Sequence, residues 1–107
     1  MTISILGSGW LGLPLAQHFV EAGHIVKAST TSENRLPKIE SIGAAPSIVN
    51  IDSLTNDIKT FLEASILIVN IPSKNVEGFR ALVHEIETSK IERVLFISST
   101  SVYQNIN

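Results

Sequence analysis

Three clusters of residues in this sequence could do chemistry. The first is the stretch ILGSGWLGLPLAQ, residues 5–17, where Gly7, Gly9 and Gly12 stand at the spacing G-x-G-x-x-G. A short apolar run (Ile3, Ile5, Leu6) precedes them, and Leu11, Leu15, Phe19 and Val20 recur after them at helical spacing. A glycine loop between a strand and a helix can hold a phosphate. Gly7 would allow the tight turn, Gly9 would let the backbone approach a pyrophosphate, and Gly12 would let the helix pack close to the strand. The loop between them is Ser8, Gly9, Trp10 and Leu11, and the amides of Gly9, Trp10 and Leu11, aided by the helix dipole, would face the anion. Trp10 either walls that crevice or covers apolar surface. The plainer alternative is a strand-to-helix turn that needs glycine only for positive φ.

The second cluster follows the second apolar run, in KASTTSENR. Where such a loop binds NAD, an acidic residue about 20 positions further on holds the ribose 2′-hydroxyl. Here Ser29, Thr30, Thr31 and Ser32 stand at that place, followed by Arg35, and Glu33 comes too late. Hydroxyls and a guanidinium suit an anionic 2′-phosphate, which favours NADP over NAD. The alternative is a polar loop with helix-capping residues. The third cluster lies at two strand ends. Val69, Asn70, Ile71 and Pro72 would line the far side of the crevice, with Asn70 fixing backbone rather than reacting. Beyond the last strand Ser98 to Ser101 offer only hydroxyls, which read equally as a polar strand end.

The elements that must position these residues alternate. HIVKAST is a second strand, and NRLPKIESIG a short helix with Leu36, Ile39 and Ile42 on one face and Gly43 as its stop. PSIVNI is a third strand. SLTNDIKTFLEA is a helix that Ser53 or Thr55 could cap. SILIVNI is a strand buried on both faces, and RVLFIS a fifth, again apolar throughout. Between them NVEGFRALVHEIETS is the most regular helix, with Val76, Phe79, Val83 and Ile86 on one face and Leu82 beside it. Pro14 is tolerated in the first turn of the first helix. Strands and helices in strict alternation imply an α/β fold: a doubly wound parallel sheet of five strands in the order 3-2-1-4-5, with right-handed crossovers and helices on both faces.

Composition narrows the partners. The 107 residues fit one domain, and 44% hydrophobic content supplies a core. The formal net charge is −2 with no basic run, which gives nucleic-acid binding no electrostatic support. There is no cysteine, and His18, His24 and His84 lack metal-ligand spacing, so no metal site is expected. The N-terminal stretch lacks a basic segment and is interrupted by glycine and proline, so neither a signal peptide nor a membrane span is expected, and a cytoplasmic protein is.

ILGSGWLGLPLA, the NIPS that follows the fourth strand, and VLFISSTSVY at the fifth together resemble the NAD(P)-dependent epimerase/dehydratase group, the extended and atypical short-chain dehydrogenases/reductases. The glycine spacing is similar to the atypical branch. The resemblance covers essentially the whole chain but only the N-terminal, Rossmann part of such an enzyme. It implies that residues 1–107 are a dinucleotide-binding domain belonging to a longer architecture. It also implies that Ser99, four residues before Tyr103 and preceded by Ser98, helps polarise the substrate's hydroxyl or carbonyl. Two departures stand out: Gln104 replaces the family's glycine after the V-Y pair, and the Tyr-x-x-x-Lys motif has no match, because no lysine follows Lys90. Tyr103 is therefore not the general acid/base. The resemblance leads us to expect a small-molecule substrate only in the longer enzyme, with a homodimer left open. The competing reading is a stand-alone nucleotide-binding sensor without turnover. A receiver module would need acidic residues clustered at strand ends, and Asp52 alone does not supply them; an FMN binder would normally carry a loop richer in hydroxyls.

Overall fold

A computed structural model describes residues 1–7, 12–71 and 75–97. Five parallel strands form one sheet: β1 (Thr2–Leu6), β2 (Ile25–Thr30), β3 (Ala45–Ile48), β4 (Ile66–Val69) and β5 (Arg93–Phe96), in the order β3-β2-β1-β4-β5. The helices are α1 (Gly12–Glu21), α2 (Leu36–Ser41), α3 (Asp57–Phe61) and α4 (Val76–Glu87), with a 3-10 turn over Glu33–Arg35 leading into α2. The doubly wound order expected from the alternation is the order found. Pro14 lies in the first turn of α1.

Two apolar layers flank the sheet. On one face Ile3, Ile5, Val26, Ala28 and Ile68 meet Ala16 of α1 and Ile39 of α2. On the other Leu6, Leu67 and Val69 meet Ile58 and Phe61 of α3 and Leu82 of α4. Alternate residues of one strand serve opposite layers, the pleat at work. β4 is buried on both sides, Leu67 to Val69 being at most 2% exposed. Among the described residues no helix is long and apolar enough to cross a membrane.

Four expectations need correction. The apolar face of α4 is centred on Gly78 and Leu82, with Phe79 and Ile86 half-buried; Val76 and Val83 face out, because Gly78 lets the helix approach the backbone of Ile51. β5 is apolar but not buried: it is the sheet's edge, and Leu95 and Phe96 are 55% and 65% exposed. β3 ends at Ile48, after which the Asn50 side chain accepts the Asp52 amide and turns the chain. The third helix is only Asp57–Phe61, so Ser53 caps nothing; its amide donates to the Asn50 carbonyl instead, and only a long 3.4 Å contact from the Asp57 amide reaches the Thr55 hydroxyl.

A helix as short as α3 cannot stand on its own hydrogen bonds. It is held from the sheet. The buried Ser4 hydroxyl on β1 donates to the Phe61 carbonyl at 2.5 Å, and Lys27 Nζ on β2 donates to the carbonyls of Thr60 and Glu63 at 2.7 and 3.0 Å. These bonds satisfy the carbonyls that a helix end leaves without partners. Replacing Ser4 by Ala would leave the Phe61 carbonyl unpaired in the core. We expect Ser4→Ala to lower stability by about 1–3 kcal/mol in urea unfolding; a loss no larger than that of an exposed Ser→Ala change would show that the bond contributes nothing.

Candidate functional site

The site grows from the end of β1. The chain leaves the strand at Gly7 with φ +96, a conformation that costs a side-chain-bearing residue dearly. A β-carbon on Gly7 would also run into the Asn70 carbonyl and come within 2.7 Å of the Ile71 side chain. Gly12 opens α1 and is buried, and a β-carbon there would strike the Gly7 carbonyl and sit 2.9 Å from Asn70 Nδ2. The two outer glycines of the motif are thus required by close packing of β1, the start of α1 and the end of β4.

Three hydrogen bonds fix this corner. The Asn70 amide donates to the Leu6 carbonyl at 2.8 Å, continuing the ladder between β1 and β4. Asn70 Nδ2 makes a long 3.4 Å contact to the Gly7 carbonyl. On the opposite side the Gly7 amide donates to the Ser29 hydroxyl at 2.9 Å. Half-buried Ile71 completes the β4 side.

The hydroxyl run at the end of β2 is divided. Ser29 is buried, 1% exposed, against the glycine turn. Thr30 is buried as well, and its hydroxyl accepts the Ser32 amide at 3.1 Å. Thr31 is exposed, and half-buried Arg35 ends the 3-10 turn. Ser8, Gly9, Trp10, Leu11, Pro72, Ser98, Ser99 and Tyr103 lie outside the described residues. Of the expected site, the structure therefore brings together Gly7, Gly12, Ser29, Asn70 and Ile71 at the ends of β1, β2 and β4. Thr30, Thr31 and Arg35 stand along the exit of β2.

The place has a topological meaning. After β3 the chain crosses the sheet and resumes beside β1 with β4, so α1 and α2 lie on one face and α3 and α4 on the other. Parallel sheets open a crevice at the carboxyl ends of the two strands where this reversal occurs, here β1 and β4. Gly7 and Asn70 are the residues that follow those strands. The N-terminus of the 10-residue α1 starts at the same corner, and a helix N-terminus carries a partial positive charge. A helix N-terminus at such a corner is the kind of place that can take an anionic group.

The packing around Gly12 makes a clear test. Its neighbours are backbone and a fixed amide, not the flexible tip of a side chain, so α1 would have to shift to admit even a methyl group. We expect Gly12→Ala to cost about 1–3 kcal/mol by overpacking, read as a lowered thermal midpoint. A midpoint equal to wild type would mean that α1 is free to move away from β1.

No protein-family model matches the chain. It is 26% identical over 113 residues to the protein YeeZ of Escherichia coli K12, an alignment that covers 94% of this chain and 41% of YeeZ. Among solved structures it resembles the yeast methylglyoxal/isovaleraldehyde reductase Gre2 in complex with NADPH, at a TM-score of 0.77 and 17% identity over 94% of this chain and 39% of that one. A functionally unknown conserved protein from Silicibacter pomeroyi aligns at a TM-score of 0.71 and 18% identity, over 95% of this chain and 36% of the other. The chain thus spans about two fifths of the length of the curated relatives it matches. At these identities the structural likeness establishes a Rossmann-type fold.

Proposed function

We propose that this chain is the dinucleotide-binding part of an NAD(P)-dependent oxidoreductase of the epimerase/dehydratase kind, with NADP preferred. The observation that carries this reading is the Gly7 turn, pinned between β2 and β4 at the point where strand order reverses. The likeness in fold to a reductase solved with NADPH supports it.

In this reading the amides of Gly9, Trp10 and Leu11 would hold the pyrophosphate, aided by the helix dipole. Thr30, Thr31 and Arg35 take the adenosine ribose and its 2′-phosphate. Asn70, Ile71 and Pro72 would form the other wall, with Ser98 as a further cofactor contact. Bound nicotinamide supplies or accepts a hydride. The chain's own groups bind and orient it, and Ser99 can donate a hydrogen bond to a substrate oxygen. Titration calorimetry with NADPH and NADH tests the reading directly. Binding with a thermal upshift is expected, stronger for NADPH, and the absence of both heat and shift with either nucleotide would refute it.

Nucleotide preference should reside in Arg35. Losing a charge-assisted hydrogen bond to a phosphate is worth about 1.5–3 kcal/mol, or roughly tenfold or more in affinity. Arg35→Ala should therefore weaken NADPH by that factor and leave NADH nearly unchanged. Equal weakening of both would make Arg35 a structural residue.

Turnover is a separate matter. A serine hydroxyl is a poor acid near neutral pH, and no Tyr-x-x-x-Lys motif is present to provide a tuned one. The 107 residues by themselves should bind dinucleotide without oxidising NADPH in the presence of carbonyl or nucleotide-sugar substrates. Steady absorbance loss at the nicotinamide band that vanishes in Ser99→Ala would show that they form an enzyme unaided.

A further inference from the structure

Ser29 occupies an unusual position in the hydroxyl run. The backbone ladder between β1 and β2 has its last residue pair at Ile5 and Ala28. Gly7 lies two residues beyond it, where the positive φ is already turning the chain out of the sheet. Its amide meets no strand carbonyl, and the Ser29 hydroxyl takes the carbonyl's place at 2.9 Å. The hydroxyl is 1% exposed, so it faces the protein and not the crevice. On the other flank the Asn70 amide holds the Leu6 carbonyl and the Asn70 side chain approaches the Gly7 carbonyl.

We propose that Ser29 is a positioning residue for nucleotide binding: its buried hydroxyl holds the Gly7 amide, and so fixes the backbone where the chain leaves β1 before any ligand arrives. The inference rests on the nucleotide-binding reading above, but it concerns a different atom and a different step. Ordering the turn in advance removes that cost from binding. Without the hydroxyl the Gly7 amide has no acceptor at hand, and a part-buried donor left unpaired favours any rearrangement that hydrates it. The backbone at Gly7 would then sample several conformations, and affinity would fall by the fraction of time it is competent.

The experiment uses the whole 107-residue chain, labelled with nitrogen-15, and reads hydrogen exchange at single amides without nucleotide. Ser29→Ala removes one oxygen and adds no bulk. It should speed exchange at the Gly7 amide by about tenfold, the size of one lost hydrogen bond, and weaken NADPH by a similar factor. Exchange at Ile5 and Leu6 should stay as in wild type. Thr30→Ala removes a neighbouring hydroxyl that bonds Ser32 instead, and should leave Gly7 exchange unchanged. Unaltered Gly7 exchange in Ser29→Ala would overturn the lock. So would acceleration spread evenly along β1, which is what a merely structural serine would give, or a lost lock with NADPH affinity within twofold of wild type. If wild type binds neither nucleotide, the positioning role falls together with the nucleotide reading, while Gly7 exchange still decides whether the hydrogen bond exists.

Discussion

No β-carbon fits between the peptide of Gly7 and the end of β4. That contact is the constraint from which the rest of the corner follows. A side chain on Gly7 would meet the Asn70 carbonyl, and one on Gly12 would meet Gly7 itself, so three stretches of backbone share a space that only glycine leaves open. Once they share it, α1 must start directly against the carboxyl end of the central strand. The start of α1 then lies beside the ends of β1 and β4. The corner is closed by packing alone, and the sequence from Gly7 to Gly12 carries no charged side chain.

The opposite end of the molecule carries a matching constraint. The chain has to pass from the edge strand β3, under the sheet, to β4 on the far side of β1, and the element that does so is the five-residue α3. A helix of that length contributes little by itself. Burial of Ile58 and Phe61 against the sheet, and three carbonyls bonded by Ser4 and Lys27, hold it in place. β1 therefore works at both ends. Ser4 receives the crossover that reverses strand order, and Gly7, three residues on, turns at the crevice which that reversal creates. A polar residue in the middle of the central strand is a cost unless it is satisfied, and here its partner is the crossover.

Much of this was legible in the sequence, for reasons that differ by element. β4 reads directly because SILIVNI is apolar without a break, and a strand covered on both faces needs just that. The strand order follows from alternation and handedness. β5 has the same look in the sequence as β4, yet it lies exposed at the sheet's edge, because an apolar run reports what a strand could bury and not what covers it. The face of α4 was misplaced for a related reason. Helical spacing selects Val76, Phe79, Val83 and Ile86, but Gly78 draws the axis toward Ile51 and rotates the buried stripe onto Leu82. Ser4 gave no signal at all, since nothing local distinguishes a serine bonded 57 positions away from one at the surface.

The hydroxyls after β2 show the same limit most sharply. In the sequence Ser29, Thr30 and Thr31 are one polar run, equally suited to a phosphate. In the fold they sit on successive positions of a strand end, and each meets a different environment. Ser29 turns inward to the β1 turn, Thr30 closes a local bond to Ser32, and only Thr31 is exposed. Only the outermost hydroxyl is thus open to solvent, while the inner two are engaged with backbone amides. A buried acid at position 29 would have a single amide to satisfy it, a poor environment for a carboxylate. A small neutral acceptor at the end of β2 is what the turn after β1 uses there.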